Sequence, residues 1–501
     1  MQQPPDQSNG TRPLPRWLAA LLGLTVAVYL ALVAMRIAPY AGGSDSGGYL
    51  GSARLFAEGR LTAEPRSLPG HGRLEFGQGA FQPLGYVVLA GGDRMVPTYP
   101  PGLPLHLALF SKLLGGEGAV IATNLLAIVL LGWAVWTCAC VLNLPPGWTA
   151  GVVSLLFCSP IFVFCALQPM SDLLAAAWAM TALAAALCAR TSAGWGWAAG
   201  AAISLAVLVR PTNALVLLPA FTLLGTGRAA FRAAAAGLPF ALFLVYYNQQ
   251  IYGHPLASGY GNWRESFSAA YAAANVWPIA RGGVLLLTPF VFGLLFTPFA
   301  TPARSRLVLG LGLWATALGA CYLFYYHTGE TWWYFRFLLP VAPAVLLLAA
   351  VGWRSMFTRL LAGRTALRPQ AIAATGLAVC LAWQAFGLLR LKPAEIVAGE
   401  RHYRETADWA RLHLPADAVV YCMQNSSALH YYTGLMIARW DQMLPAEHAA
   451  FLRVARAQNR PVYAALFPFE QTDAFARIGG RWEKLAATGP TTFYRLAESP
   501  P

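Results

Sequence analysis

Between the first long apolar run and a long polar segment, the sequence reads Ala41-Gly-Gly-Ser-Asp-Ser-Gly-Gly-Tyr-Leu50. Ser44 or Asp45 can cap a short helix that ends at Gly59. On this helix Asp45 and Tyr49 share one face. The pattern predicts a helix at the membrane surface that carries a carboxylate on a partly apolar face. Such a carboxylate is costly unless it has partners or a function, so Asp45 is the candidate catalytic residue.

The rest of the chain has the composition of a membrane protein. Of its 501 residues, 57% are hydrophobic and only 11% are charged, and the mean hydropathy is +0.50. Apolar runs recur that are long enough to cross the hydrocarbon core, which takes roughly 20 residues. These runs are predicted to be helices, because in lipid the backbone must satisfy its own hydrogen bonds. Tryptophans mark several ends of runs, as an interfacial belt would.

The net charge of +14 raises the question of nucleic acid as a partner. We exclude nucleic acid, because the basic residues lie mostly in short segments between apolar runs, which is the positive-inside pattern. Membrane lipids are therefore the predicted surroundings. Seven of the eight cysteines lie in apolar stretches, so the sequence predicts no disulfide framework.

The pattern predicts an α-helical polytopic membrane protein with about eleven transmembrane helices and a small C-terminal α/β domain. Residues 1–16 are expected to form a disordered cytoplasmic N-terminus, and residues 391–501 the extracytoplasmic α/β domain. The transmembrane catalytic domain covers 17–390, with a long external loop at 37–117. The predicted spans are about 17–36, 119–142, 148–166, 172–189, 195–209, 213–226, 233–248, 282–300, 307–325, 336–352 and 371–389.

This topology separates two groups of arginines. Most arginines between spans fall on the side of the N-terminus, namely Arg190, Arg228, Arg232, Arg304, Arg306 and those between 354 and 368. Three fall on the opposite side at helix ends: Arg210, Arg281 and Arg336. A cation on the side that the positive-inside pattern avoids calls for a functional explanation.

Five short motifs occur in a characteristic order. They are Ser44-Asp-Ser-Gly-Gly-Tyr49, Tyr99-Pro-Pro-Gly-Leu-Pro104, Gln168-Pro-Met-Ser-Asp172, Val209-Arg-Pro-Thr212 and Arg336-Phe-Leu-Leu-Pro340. In this order, and on one side of the membrane, they resemble the GT-C superfamily of polytopic glycosyltransferases. The resemblance is to the branch with protein O-mannosyltransferases and the lipid A aminoarabinose transferase, and it spans roughly residues 17–390.

The resemblance implies an enzyme that transfers a sugar, with inversion, from a polyprenyl-phosphate donor to an acceptor hydroxyl of a glycan, lipid or protein. Asp45 matches the general base, and an arginine suits the leaving phosphate because its guanidinium binds phosphate bidentately. The expected location is a bacterial inner membrane, with the site outside the cytoplasm. No cofactor is certain, and a divalent metal stays possible. The candidate substrate-binding residues are Tyr49, Tyr99, Asp172, Arg210, Arg281, Arg336, His327 and Glu330.

Each candidate also has a purely structural explanation. Asp45 can be a helix cap, and Asp172 a charge favoured at a helix N-terminus. Arg210 precedes a proline and can mark a helix break, while arginines at helix ends often extend to the interface. Tyr49 can serve packing alone, and Tyr99 can belong to a turn.

Two other functional classes compete with the transferase. A lipid-linked-sugar transporter or flippase would show inverted repeats and broken helices with charges at the bilayer midplane. A non-catalytic envelope assembly protein would explain the C-terminal domain but not the external arginines. Within enzymes, a ligase that joins preassembled glycans is the alternative, and the long first loop favours the monosaccharide transferase.

Overall fold

The structure is a computed structural model that describes residues 16–72, 75–89, 91–261, 263–300, 305–360 and 369–498. The predicted disordered N-terminus lies outside these ranges except for Arg16. Arg304, Arg364 and Arg368, which the positive-inside pattern assigns to the cytoplasm, lie outside them too.

The described part of the chain up to Leu391 consists mainly of helices. In chain order they are α1 (Arg16–Ala34), α2 (Ser44–Ala57), α3 (Gly102–Val141), α4 (Pro146–Phe157), α5 (Pro160–Ala166), α6 (Ser171–Cys188), α7 (Trp195–Val209), α8 (Leu217–Leu224), α9 (Arg228–Tyr252), α10 (Trp263–Ser266), α11 (Ala272–Leu287), α12 (Arg306–Leu323), α13 (Ala342–Leu360) and α14 (Pro369–Leu391). Short 3₁₀ helices connect several of them, at Pro211–Val216, Ala269–Tyr271, Pro289–Phe299, Trp332–Val341 and Pro393–Glu395.

Within the described ranges, six helices are long and apolar enough to cross a membrane, and the number rises to eight if each of two bent pairs is one span. One bent pair is α4 with α5, which meet at 61°. Each of the eleven predicted spans overlaps a helix or a bent pair, but the predicted span 282–300 begins within α11 and crosses a 104° bend into the 3₁₀ helix Pro289–Phe299. The number eleven stays a prediction, because three of these helices are shorter apolar segments of 10–17 residues.

The long helix α3 is interrupted at Gly115, whose φ of 74° and ψ of 173° are not helical. The residues before this break form a separate apolar helix that starts at the Tyr99-Pro-Pro-Gly102 turn. The break at Gly115 separates this helix from the predicted span at about 119–142.

The first loop contains the predicted short helix, now α2, and Gly59 follows its end with a φ of 71°. Its N-cap is Gly43, with no side-chain cap hydrogen bond, so the prediction that Ser44 or Asp45 caps it is wrong. A two-stranded hairpin follows, β1 (Tyr86–Val88) with β2 (Met95–Pro97), paired antiparallel.

The C-terminal domain is a small α/β unit, as predicted. Its elements are α15 (Ile396–His413), β3 (Val419–Tyr421), α16 (Ser426–Tyr432), β4 (Met436–Ala438), α17 (Pro445–Ala457), β5 (Val462–Leu466), α18 (Pro468–Ile478), β6 (Arg481–Thr488) and β7 (Thr491–Glu498). The sheet order is β4-β3-β5-β7-β6, with the first three strands parallel and the last two antiparallel to their neighbours.

The first loop and the C-terminal domain share a hydrophobic core. Leu68, Phe76 and Phe81 of the loop are buried in one cluster with Phe451 of α17. The backbone N–H of Arg439 also donates to Ala80 O at 2.7 Å. The domain is therefore built onto the loop that carries Asp45, and its contacts reach across the predicted boundary at residue 391.

Candidate active site

Four charged side chains from four separate elements meet in one cluster. Arg336, in the 3₁₀ helix Trp332–Val341, donates from Nη2 to Asp45 Oδ2 at 2.7 Å. The Nη1 atom of Arg336 lies 4.0 Å from Asp172 Oδ2, in the first turn of α6. Asp172 Oδ1 accepts from Arg210 Nη1 at 2.5 Å, directly after α7. Acids and arginines thus alternate, and the two positive charges balance the two negative ones.

The two acids differ in their access to solvent. The side chain of Asp45 is 30% exposed, whereas that of Asp172 is 1% exposed. Asp45 can therefore meet a molecule that enters the site. Asp172 is enclosed and serves as the counter-ion that holds both arginines in place, since a buried charge needs a partner.

The surroundings of Asp45 favour its ionised form. Burial alone would raise the pKa of its carboxyl group. The Arg336 guanidinium, the Tyr99 hydroxyl and the more distant Arg210 outweigh that effect and hold the pKa below its usual value. Asp45 is thus a carboxylate at neutral pH, which is the form that a general base requires.

The backbone at Arg210 explains how this side chain reaches the cluster. Helix α7 ends at Val209, and Arg210 is extended, with φ −145° and ψ 116°. The following Pro211 favours this conformation, because its ring disfavours a helical residue before it. The helix break that the sequence indicates therefore gives Arg210 the extended backbone from which its side chain pairs with Asp172.

Tyr49 and Tyr99 form the wall beside Asp45. Their rings are 4.6 Å apart, and both side chains are buried. The Tyr49 hydroxyl donates to Ser171 Oγ at 2.8 Å, and the Tyr99 hydroxyl shares a 2.8 Å hydrogen bond with Ser44 Oγ. These bonds fix α2 against its neighbours.

His327 and Glu330 lie together at the edge of the cluster. His327 Nδ1 is 2.7 Å from Glu330 Oε1, and the His327 ring stacks on Tyr334 at 4.9 Å. The Tyr334 ring is in turn 5.8 Å from the Arg336 guanidinium. Arg281 differs from the other candidates, because its side chain is exposed on α11 and takes part in none of the contacts of the cluster.

The described part of the chain holds no group of three or more His, Cys, Asp or Glu side chains that could bind a metal ion. Asp45 and Asp172 are each paired with an arginine instead. Together, the five sequence motifs supply the four charges, the two tyrosines and Ser171.

No family model matches the sequence, and no curated protein matches it either. Solved structures do match. ArnT from Cupriavidus metallidurans bound to undecaprenyl phosphate superposes with a TM-score of 0.59 at 16% identity, over 96% of this chain and 99% of that one. The chain has the GT-C fold. The archaeal oligosaccharyltransferase AglB from Archaeoglobus fulgidus, in complex with an inhibitory peptide and a dolichol-phosphate, matches with a TM-score of 0.51 at 14% identity, over 95% of this chain and 74% of that one.

In this GT-C fold, two aromatic side chains that the sequence did not single out belong to the cluster. The Phe337 ring lies 4.9 Å from the guanidinium of Arg210 and 5.2 Å from that of Arg336, so both cations contact the same aromatic ring. Tyr260, in the loop after α9, contacts the Tyr99 ring edge-on at 6.2 Å. Phe337 could have been predicted to belong to the cluster, because it directly follows Arg336 in the sequence. No sequence pattern indicated Tyr260.

An apolar groove of about 480 Å³ lies among the helices near the charged cluster in the sequence. Helices α7, α8 and α9 line it, with Ile203 and Leu208 on α7 and Phe240 on α9. Leu208 and Ala214, both in its lining, flank Arg210 in the sequence. Along α7 the groove extends from Leu208 to Gly200, which at 1.5 Å per residue is roughly 12 Å.

Proposed function

We propose that the protein is an inverting membrane glycosyltransferase that moves a sugar from a polyprenyl-phosphate donor to an acceptor hydroxyl outside the cytoplasm. One observation carries the proposal: in a GT-C fold, the accessible carboxylate of Asp45 lies beside two buried arginines. Transfer from a lipid phosphate needs a base for the hydroxyl and cations for the phosphate, and these residues provide both.

Asp45 acts as the general base. The acceptor oxygen attacks the anomeric carbon of the donor sugar from the face opposite the phosphate, and its proton passes to an Asp45 Oδ atom. The bond between the anomeric carbon and the phosphate oxygen breaks, and its electron pair leaves with the polyprenyl phosphate. A base in this role contributes about 10²–10⁴-fold in rate.

Arg336 and Arg210 stabilise the charge that develops on the leaving phosphate. Within the described part of the chain, the buried Nε–H of Arg336 has no acceptor. A buried N–H without a partner is costly, and a phosphate oxygen would satisfy it. Both guanidiniums pack on the Phe337 ring, which limits their movement, so the cations are preorganised for the transition state.

Donor binding and activation of the base are coupled through Arg336. Asp45 and Arg336 neutralise each other in the structure. A phosphate that binds Arg336 competes with Asp45 for its N–H groups, which leaves the carboxylate free to accept a proton. The acceptor is therefore deprotonated only when a donor is in place.

The apolar groove suits the lipid part of the donor. Its lining includes Leu208 and Ala214, which flank Arg210 in the sequence, so a phosphate bound at the arginines would leave the isoprenoid chain close to the groove. The structures of ArnT and AglB contain undecaprenyl phosphate and dolichol-phosphate respectively, which supports a lipid phosphate as the donor's carrier. The peptide bound to AglB supports an acceptor outside the lipid, and a glycan or lipid hydroxyl suits the base equally well.

We place the protein in a bacterial inner membrane, with the N-terminus in the cytoplasm and the site and C-terminal domain outside. The arginine distribution between helices supports this orientation. A reporter fused to the C-terminus that is active only outside the cytoplasm checks it. Activity of a cytoplasmic reporter at that position would overturn the topology.

The function is tested by transfer from radiolabelled polyprenyl-phosphate sugars in membranes that contain the wild type, Asp45→Asn or Asp93→Asn. Asp93 is the matched control, because it is an exposed acid of the same loop. We expect wild type and Asp93→Asn to transfer label, and Asp45→Asn to be slower by about 10²-fold or more. Transfer by Asp45→Asn at the wild-type rate would refute the role of Asp45 as the base. If the wild type transfers no more label than the vector control, a lipid-flipping assay on the same membranes follows.

A further inference from the structure

Helix α2, which carries Asp45, begins without a side-chain cap of its own. Its N-cap is Gly43, which has no side chain to accept a hydrogen bond from the first turn. Uncapped N–H groups at a helix start need other partners, and without them the first turn frays. Asp45 is in that first turn, so its position depends on whatever holds the turn.

A side chain of this first turn, Ser46, is instead held by a contact with the C-terminal domain. The N–H of Gly42 donates to Ser46 Oγ at 3.1 Å, and the Ser46 hydroxyl donates to Glu400 Oε2 at 2.7 Å. Glu400 lies on α15, more than 350 positions away in the sequence. The contact is a short chain of hydrogen bonds that ends on a carboxyl group supplied by another domain.

Within the described ranges, the Glu400 carboxyl group accepts this hydrogen bond and forms no ion pair. The residue is 6% exposed, and in the described ranges no Lys, Arg or His nitrogen lies within 4.0 Å of it. One turn further on α15, Tyr403 accepts a hydrogen bond from Gln424 Nε2 at 2.7 Å, and this pair lies close to Gly43. A buried carboxyl without a cation is rare unless its hydrogen bonds are needed.

We propose that Glu400 is a positioning residue for the catalytic base: through Ser46 it fixes the first turn of α2 and so holds Asp45 beside Arg336. The inference rests on the proposed function for its effect on rate. Its structural part, that Glu400 holds the first turn of α2, stands on the contacts alone. The C-terminal domain is then a component of the active site rather than a separate binding module.

The test compares Glu400→Leu, Glu400→Gln and Glu405→Leu in the full-length purified protein. Gln keeps an acceptor oxygen for Ser46, whereas Leu keeps the size and removes the acceptor. Glu405 is the matched control, since it is exposed on the same helix. The readouts are kcat and KM for transfer, the Kd for polyprenyl phosphate, and amide hydrogen exchange over residues 42–50.

We expect Glu400→Leu to lower kcat by about 10-fold or more with KM and Kd changed by less than about threefold, because a small displacement of a catalytic group is costly in rate. Exchange at the start of α2 should rise in that variant, and Glu400→Gln should restore both kcat and protection. If Glu400→Leu matches Glu405→Leu in kcat and exchange, the inference is wrong.

Ser46→Ala provides a second measurement if Glu400→Leu does not fold, because it removes only the bridging oxygen. Faster exchange and a lower kcat in Ser46→Ala support the inference, and wild-type values of both overturn it. The two proposals fail differently. Absence of transfer by the wild type refutes the proposed function, whereas hydrogen exchange still decides whether Glu400 holds α2.

Discussion

Arg336 Nη2 donates to Asp45 Oδ2 at 2.7 Å, although the two residues are 291 positions apart in the sequence. The proposed base and a residue proposed to bind phosphate therefore neutralise each other. The pair explains how a carboxylate and a guanidinium share a site that is otherwise largely aromatic. The ion pair also leads to predictions that would not hold if the two charges acted independently.

Removal of the Asp45 charge should strengthen binding of the lipid phosphate while it abolishes transfer. In Asp45→Asn, the guanidinium of Arg336 no longer has to exchange a charged partner for the phosphate. A hydrogen bond to a charged group is worth about 1.5–3 kcal/mol, so we expect the Kd for polyprenyl phosphate to fall by about tenfold or more. Titration of purified protein in nanodiscs measures it. Weaker binding by Asp45→Asn than by the wild type would contradict the competition.

The two clustered arginines should be sensitive to replacement by lysine. Lysine keeps the charge but lacks the planar fork that binds phosphate through two N–H groups. We expect Arg336→Lys and Arg210→Lys to raise the Kd for polyprenyl phosphate by about tenfold, roughly 1.4 kcal/mol. Arg281→Lys is the control, because Arg281 is exposed outside the cluster. A similar rise in the Kd of Arg281→Lys would show that Arg281 also belongs to the phosphate-binding site.

Asp172 should matter for stability more than Asp45 does. Asp172→Asn leaves the Arg210 guanidinium, only 12% exposed, without its 2.5 Å partner. Loss of one member of a buried ion pair costs about 3–5 kcal/mol, so the thermal midpoint in detergent should fall clearly. Asp45→Asn should change the midpoint much less, since Arg336 keeps Asp172 within 4.0 Å. Equal midpoints for the two variants would show that Asp172 is not the counter-ion.

Close packing of α2 against the C-terminal domain predicts that Gly47 cannot be enlarged. A Cβ there would lie 1.9 Å from Ser427 Oγ and 2.9 Å from Ser427 Cβ. Gly47→Ala should therefore lower thermal stability and transfer, and Ser427→Gly in the same protein should restore both, because it removes both atoms. Gly319→Ala is the control, with nothing within 4 Å of its added Cβ. Failure of the second substitution to rescue would refute the steric explanation.

The C-terminal contact should make stability depend on pH. Burial raises the pKa of Glu400 from 4.5 to about 7, and the facing Asp45 carboxylate adds to this, while the Ser46 hydroxyl and the Gly42 and Gly43 N–H groups oppose it. The other titratable side chain that faces it is Tyr403. Because the folded protein holds this proton more tightly, the stabilisation is complete below pH 4.5 and is lost as the pH rises through 7.

Between pH 5 and 8 the wild type should therefore lose stability, on the order of 3 kcal/mol from this group. Glu400→Gln cannot ionise and should lack that part of the loss. Thermal midpoints of the two proteins across this range measure the difference. Parallel pH curves would show that Glu400 has an ordinary pKa.

The sequence by itself determined the features that depend on local pattern. Apolar runs of spanning length predicted the helices, because lipid leaves the backbone no other hydrogen-bond partners. The short helix that carries Asp45 and ends before Gly59 followed from turn and helix signals within about fifteen residues. The positions of Arg210 and Arg336 on the side opposite most arginines marked them as candidates, and the ordered motifs pointed to the GT-C fold.

Tertiary structure alone decided which charges meet. Asp45 pairs with Arg336 and Asp172 with Arg210, whereas Arg281, equally prominent in the sequence, lies outside the cluster. Glu400 gave no signal, because its partner Ser46 belongs to a loop at the other end of the chain. Periodicity and capping act over a few residues, so they fix where a side chain lies on its own helix. A hydrogen bond between distant segments depends on how whole helices pack, and no local pattern records that.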